Sequence, residues 1–404
     1  MNFARGSYRP AQNGPALRLR FDYRTSIIHL FLFYILGAGY HSPERKCEYN
    51  DTVNKACQQA ISLLKDGASA VDAVSVAVST LEDSPCTNAG LGSNLTIEGS
   101  VECDAGIMDG DSLHFGAVGA LGGIRNPVKV AKALLCEQCK GLMSYGRIPP
   151  CVMVGNGALQ WARDHGFKEV NTSSLITPKA LSSYRKHKRA LSEYSTLPLD
   201  QQETPPKRVK GDRPQVIERD TMLDTVGAVC VDSRGQIASA VSSGGIALKH
   251  PGRVGHAMFI GCGCWAQSHT QTSSSVSVGC STSGSGEQLL RCNLARACCE
   301  GLLQSEDPTS SLGSTFQSQY LKSPLLPDDA ARLGGAIAVR YNHTDRDAEI
   351  LWTHSTDSLC LGYMDTRQIK AKMVISRLPT GAKAGSTYTL GGATVQLPLS
   401  EEPP

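Results

Sequence analysis

The chain has 404 residues, 41% of them hydrophobic and 19% charged, with 40 glycines, 20 prolines and a formal net charge of +3. That composition excludes a disordered or fibrous protein and describes a globular one rich in tight turns, while the length permits two or three domains or one large sandwich. So small a net charge supplies no chain-wide attraction to nucleic acid, and no direct nucleic-acid partner is expected.

The 15 cysteines are an odd number. They are unevenly spaced, several inside apolar runs such as Ala228-Val229-Cys230-Val231, a pattern of reduced intracellular thiols. Cys262, Cys264, Cys280 and Cys292 form the densest group, but they lack the paired C-x-x-C spacing of a zinc site. Buried thiols are the expectation, and neither a metal nor an organic cofactor is implied.

Residues 1–25 are basic and aperiodic, as a loose arm would be. The apolar run Ile27 to Leu36 follows several arginines and precedes Gly37-Ala38-Gly39, which is how a signal peptide begins. The run is too short to span a membrane, and secretion would leave one cysteine unpaired, so a buried strand with no membrane contact is the preferred reading. Val53, Ala56, Cys57, Ala60 and Leu64 recur at helical spacing, with Gly67 placed as a C-terminal cap, and a second helix is predicted over Ser69 to Leu81. Thr87 to Gly123, dense in glycine and small apolar residues, predicts buried strands joined by tight turns.

Residues 181–221 offer little to bury and read as an exposed, flexible insertion. Two basic clusters lie in it, Arg185, Lys186, Lys188 and Arg189, then Lys207, Arg208 and Lys210. They fit a bipartite nuclear import signal or a solvated charge run. Next, Thr225 to Val231 and Gln236 to Ser242 alternate around Asp232-Ser233-Arg234-Gly235, a hairpin pattern. A helix is predicted over Gly286 to Gln304, and a strand pair over Gly334 to Arg340 and Glu349 to His354. This order of elements suits a layered α+β sandwich better than alternating βαβ units.

The junction Leu223-Asp224-Thr225, where the polar linker runs straight into a buried strand, has the form of a site to be cut. Cutting the Asp224-Thr225 bond would free an α-amine on Thr225 with a pKa of about 7.7 to 8.0. That amine can accept the proton of the residue's own hydroxyl, making Thr225 nucleophile and base together. On local sequence alone, Thr225 is equally one more β-branched strand residue.

Asn88-Ala89-Gly90, Asp104-Ala105 with Met108-Asp109-Gly110, Asp224-Thr225-Val226-Gly227, Ser242-Ser243-Gly244-Gly245, Pro251-Gly252-Arg253-Val254-Gly255 and Ser283-Gly284-Ser285-Gly286 occur in that order. Across roughly residues 37–395 the chain resembles the type 2 asparaginases, a family of N-terminal-nucleophile hydrolases. The resemblance implies a four-layer αββα fold. It also implies self-cleavage into an α chain, residues 26–224, and a β chain, residues 225–404, assembled as two of each. By the same resemblance Thr225 forms an acyl-enzyme, Ser243 orients it, Asn88 helps position the reacting groups, Ser283 and Gly284 form the oxyanion hole, and Arg253 binds the substrate carboxylate.

In family members acting on free amino acids or dipeptides, an aspartate holding the substrate's α-ammonium follows the Arg-x-Gly motif; here that residue is His256. With Gly146-Arg147-Ile148-Pro149-Pro150-Cys151 and Gly261-Cys262-Gly263-Cys264-Trp265, this makes the chain most similar to the family's endopeptidase branch. The resemblance then implies cutting after an aspartate preceded by an apolar residue. Its substrates would be nuclear transcription regulators such as the mixed-lineage leukaemia methyltransferase and the precursor of transcription factor IIA, and its location the nucleus and cytoplasm. A small-substrate L-asparaginase or isoaspartyl dipeptidase is the first alternative, and a catalytically silent binding protein the second. The residues around Tyr34-Ile35-Leu36 depart from the family's first-strand motif, an expected cause of slower self-cleavage.

Overall fold

The computed structural model describes residues 31–196, 225–272, 274–328 and 330–396. One sheet holds β1 (Phe31–Gly39), β2 (Cys103–Asp109), β3 (Phe115–Leu121), β4 (Val152–Val154), β5 (Val226–Val231), β6 (Ile237–Ser243), β11 (Ser358–Asp365) and β12 (Lys372–Arg377). Its order is β12-β11-β1-β5-β6-β2-β3-β4, antiparallel except for the β3–β4 pair. A second sheet, β7 (Cys264–Gln267), β8 (Val276–Gly284), β9 (Gly334–Asn342), β10 (Asp347–His354) and β13 (Thr389–Gln396), runs β13-β10-β9-β8-β7.

Strand alternation separates two cores. On β5, Val226, Ala228 and Cys230 face the helices α1 (Lys46–Lys65), α2 (Ala70–Glu82) and α3 (Pro127–Cys139). Val229 and Val231 face the second sheet, packing with Phe33, Ile337 and Val339. The outer face of that sheet is covered by α6 (Gly286–Cys292), α7 (Leu294–Gln304) and α8 (Pro308–Thr315) through Leu294, Cys298, Leu302 and Phe316. Helices, sheet, sheet, helices are the four layers of the expected α+β sandwich. Both faces of β5 and β6 are buried, which explains their near-continuous apolar and small-residue sequences.

The first helices follow the sequence pattern. Gly67, at φ +86°, lies just beyond the end of α1 with open space around it, and α2 starts at a capping box in which Ser69 and Asp72 each bond the other's backbone N–H. The run after Ile27 is a strand wherever it is described, and β1 is paired on both sides, with β5 and with β11. The cysteines Cys262, Cys264, Cys280 and Cys292 are buried free thiols.

Two expectations are corrected. The segment from 181 does not begin as a flexible insertion: helix α5 (Pro178–Ser195) is capped by Thr177, carries Pro178 in its first turn, and docks through the Tyr184 hydroxyl on the Ile97 carbonyl at 3.2 Å. Only Ala180 on it is buried, so hydrophobic periodicity gave no sign of it; the cap and the Pro did. Arg185, Lys186, Lys188 and Arg189 lie on this helix, whereas Lys207, Arg208, Lys210 and Asp224 fall outside the described residues, as do residues 1–25. The helix over Gly286 to Gln304 is two helices, because Asn293 adopts the left-handed conformation (φ 47°, ψ 45°) and interrupts the ladder.

Candidate active site

The first residue described after the linker is Thr225, 2% exposed and placed at the head of β5. Pairing of Val226 with Ser242 brings Thr225 and Ser243 side by side on the face turned towards the second sheet. The Thr225 hydroxyl donates to the Ser243 Oγ at 2.9 Å. Ser243 Oγ also accepts from the Gly245 N–H at 3.0 Å, so its orientation is held by backbone as well as by Thr225.

The turn after β6 is gripped by a loop from far upstream. The Asn88 carbonyl accepts from Gly244 N–H at 2.7 Å, and the Asn88 and Asn94 amides each donate to the Gly245 carbonyl at 2.8 Å. Asn88 Oδ1 in turn accepts from the Asn94 N–H at 2.9 Å. A Cβ on Gly244 would lie 2.5 Å from Asn88 Oδ1 and from the Ser93 Cβ, so this turn admits only glycine without displacing Asn88.

Arg253 lines the same cleft as Thr225 and Ser243. Its Nε and Nη2 both donate to one oxygen of Glu287, at 2.9 and 2.6 Å. Burial acts to raise the Glu287 carboxyl, but these bonds and the Arg253 charge prevail and hold it below its ordinary value. The Nη1 side of the guanidinium is not used by Glu287. Beneath Arg253, the buried Asp104 accepts from Ala120 N–H at 2.8 Å and Gly255 N–H at 2.7 Å, tying the Arg253-Val254-Gly255 turn to β3. Sequence reasoning quoted Asp104 within a motif without giving it a task; a carboxylate among small apolar residues was the available signal.

Gly284 lines the cleft at φ +145°, where a Cβ would come within 2.5 Å of the Leu333 carbonyl. Ser283 is 0% exposed, and its Oγ accepts the Ala38 N–H at 2.9 Å, joining β1 to β8. His256 lines the cleft and is 2% exposed. Burial, with the Arg253 charge adding, outweighs a backbone hydrogen bond and lowers its pKa to about 4. At neutral pH it is an uncharged imidazole whose Nε2 lies 3.3 Å from the Thr282 carbonyl, which makes Nε2 the protonated nitrogen.

The structure therefore gathers Asn88, Thr225, Ser243, Arg253 and Gly284 around one cleft, with Ser283 behind it. The basic residues of α5 are elsewhere, on an exposed helix. Among the described residues, no group of three or more His, Cys, Asp or Glu side chains is placed to hold a metal.

Fold and site together define a hydrolase of the N-terminal-nucleophile class. The chain belongs to the asparaginase family, whose model matches residues 28–374. It is 35% identical over 303 residues to the isoaspartyl peptidase/L-asparaginase of Rattus norvegicus, covering 75% of this chain and 78% of that protein. The same enzyme of Danio rerio is 33% identical over 334 residues, 83% of this chain and 91% of that protein. The isoaspartyl peptidase of Escherichia coli strain K12 is 32% identical over 228 residues, 56% of this chain and 62% of that protein. These names correct the functional expectation. The relatives carry the names of small-substrate enzymes, so the aspartate-specific endopeptidase reading, drawn from short shared motifs and His256, gives way to the small-substrate alternative.

Proposed function

We propose that the chain is a self-cleaving hydrolase of small aspartyl amides, acting on L-asparagine or isoaspartyl dipeptides through an acyl-enzyme on Thr225. The observation that carries this reading is the 2.9 Å bond between the Thr225 and Ser243 hydroxyls, in a cleft that Arg253 also lines. Self-cleavage moves the acyl group of Asp224 from the Thr225 nitrogen to its oxygen, and water releases it, leaving a free amine. In each turnover that amine takes the hydroxyl proton while Oγ1 attacks the substrate's amide carbonyl. The proton passes to the leaving nitrogen, and water then frees the acid and restores the hydroxyl.

Arg253 presents its Nη1 side to a substrate carboxylate while Glu287 holds the other edge, which orients the fork without neutralising all its donors. Uncharged His256 offers no countercharge to an α-ammonium, so recognition in this reading leans on Arg253. The two fragments remain together after the cut, since β1 to β4 complete the sheet that β5 and β6 start, with β1 inserted between β5 and β11. Pairing of two such αβ units is part of the same proposal.

The test is incubation of purified chain, with cutting verified by intact mass, followed by assay of ammonia from L-asparagine and of aspartate from a β-aspartyl dipeptide. Release of either, absent in Thr225→Ala, is the expected result. A fully cut chain that releases neither overturns the substrate reading.

A further inference from the structure

On the helix side of the large sheet, behind the catalytic edge, lies a carboxyl group that the chemistry above does not use. Glu82, the last residue of α2, is 0% exposed. Its Oε1 accepts from the Val128 N–H in the first turn of α3 at 3.0 Å. Its backbone carbonyl accepts from Leu91 N–H at 2.8 Å. The loop passes so close that a Cβ on Gly90 would lie 2.6 Å from that carbonyl oxygen and 2.8 Å from the Glu82 Cβ. The other carboxyl oxygen, Oε2, and the hydroxyl of Ser242 are both buried without a hydrogen-bond partner among the described residues. Ser242 pairs with Val226, the residue after the nucleophile.

We propose that Glu82 is a positioning residue for the Thr225–Ser243 pair, its carboxyl fastening the end of α2, and with it the Asn88–Asn94 loop, to α3. The proposal rests on Thr225 being the nucleophile, as above. The mechanical path is short. The Glu82 carboxyl fixes the end of α2 against the first turn of α3 through the Val128 N–H. The Glu82 backbone carbonyl at that end holds Leu91, the same loop holds Gly244 and Gly245 through Asn88, and Gly245 holds the Ser243 hydroxyl.

The state of the carboxyl follows from its surroundings. Burial lifts it to about 8 from 4.5, against the pull of Ser242, the Val128 N–H and Asn126, with Asp83 adding to the rise. Asp83 is itself turned outward and paired with Arg125. From β2, the Cys103 thiol is raised to about 11, chiefly by burial, and brings no charge. At neutral pH the acid is therefore protonated and uncharged. Raising the pH through 8 places an unpaired negative charge under the active-site loop, which in a dry site is strongly unfavourable.

The experiment compares full-length wild type, Glu82→Gln and Glu82→Ala. Glutamine keeps the shape, one acceptor and a donor without the charge. The expected result is a Gln variant within about threefold of wild-type kcat at pH 7 that lacks a wild-type loss of kcat centred near pH 8. Deprotonation of the Thr225 amine acts in the opposite direction over that range, so the two are separable. Glu82→Ala is expected to lose roughly tenfold or more in kcat with KM little changed, as misplacement of reacting groups does. A Gln variant that keeps the alkaline limb, or an Ala variant with wild-type kcat, overturns the proposal. If wild type cuts itself but releases neither product, the substrate reading fails alone, and the rate of the Asp224-Thr225 cut is compared across the same variants. If it does neither, the unfolding midpoint is followed against pH. A carboxyl raised on folding contributes full stability below about 4.5, lost by about 8; an equal slope in wild type and Gln variant then overturns the proposal.

Discussion

Strands β5 and β6 end in two neighbourhoods of opposite character. At the hairpin end, Asp232 is 1% exposed and its carboxylate accepts from Arg234 N–H at 2.9 Å, Gln236 N–H at 3.1 Å and Ala70 N–H at 3.2 Å, with Arg234 Nη2 at 2.9 Å. Gly235 turns the chain at φ +76° against the His343 ring, which packs 3.6 Å from that of His269. Three of these four bonds come from within four residues of Asp232, and the fourth comes from Ala70 at the start of α2. At the catalytic end, two hydroxyls meet at a glycine turn held by loops that begin about 140 residues earlier at Asn88 and that continue to Gly284. One pair of strands thus has an anchor closed mainly by its own turn at one end and a cleft assembled over long range at the other.

The largest expected effect separates the two ends outright. Thr225→Ala should abolish self-cleavage and lower hydrolysis by about 10⁴-fold or more while leaving the fold intact, read by intact mass and a thermal melt. A variant that loses its melt instead would mean the catalytic end also carries the stability.

Asp232→Ala should show the converse. Three backbone N–H donors lose their acceptor when the buried carboxylate is removed, a cost of about 3 kcal/mol in denaturant unfolding, with kcat of the folded fraction unchanged. A parallel fall in kcat would show that the anchor and the cleft are mechanically coupled.

Arg253→Lys sharpens the catalytic end by keeping charge and removing the fork. KM should rise by about tenfold, with kcat within a few-fold of wild type. An unchanged KM would show that the substrate carboxylate is bound elsewhere.

The smallest effect belongs to the hairpin end. Burial, with His269 adding, lowers the His343 pKa from 6.5 to about 4. A group depressed in this way contributes stability above 6.5 that is lost as pH falls through 4. His343→Gln should flatten the acid limb of stability slightly between those values, with no change in the alkaline limb assigned to Glu82.

Much of this architecture was legible because it is locally encoded. The spacing of Val53 to Leu64, the Ser69 cap and the Asp232-Ser233-Arg234-Gly235 turn each specify an element within a few residues. Helix α5 was missed because an exposed helix needs no apolar stripe, and the break at Asn293 because a left-handed residue leaves the apolar period undisturbed. At the site, the motif residues Asn88, Thr225, Ser243, Arg253 and Gly284 were named in advance, but the supports Glu82, Asp104 and Glu287 were not given tasks. Their side chains bond partners as far as 46, 151 and 34 residues away respectively in sequence.

The misreading of substrate class has a related origin. His256 beside Arg253 says what the cleft lacks, an acid at that wall, but not what the rest of the cleft accepts. Short motifs weigh a few positions, whereas the likeness to the rat relative is counted over 75% of the chain.

The amino-acid sequence by itself determined the α+β class, the hairpin that follows Thr225 and the family, because periodicity, turns and motifs are properties of neighbouring residues. Only the tertiary structure decided that β1 sits between β5 and β11, that Glu82 lies buried behind Ser242, and that Glu287 shares Arg253. Those facts depend on strand order and on burial, which no local stretch of sequence contains.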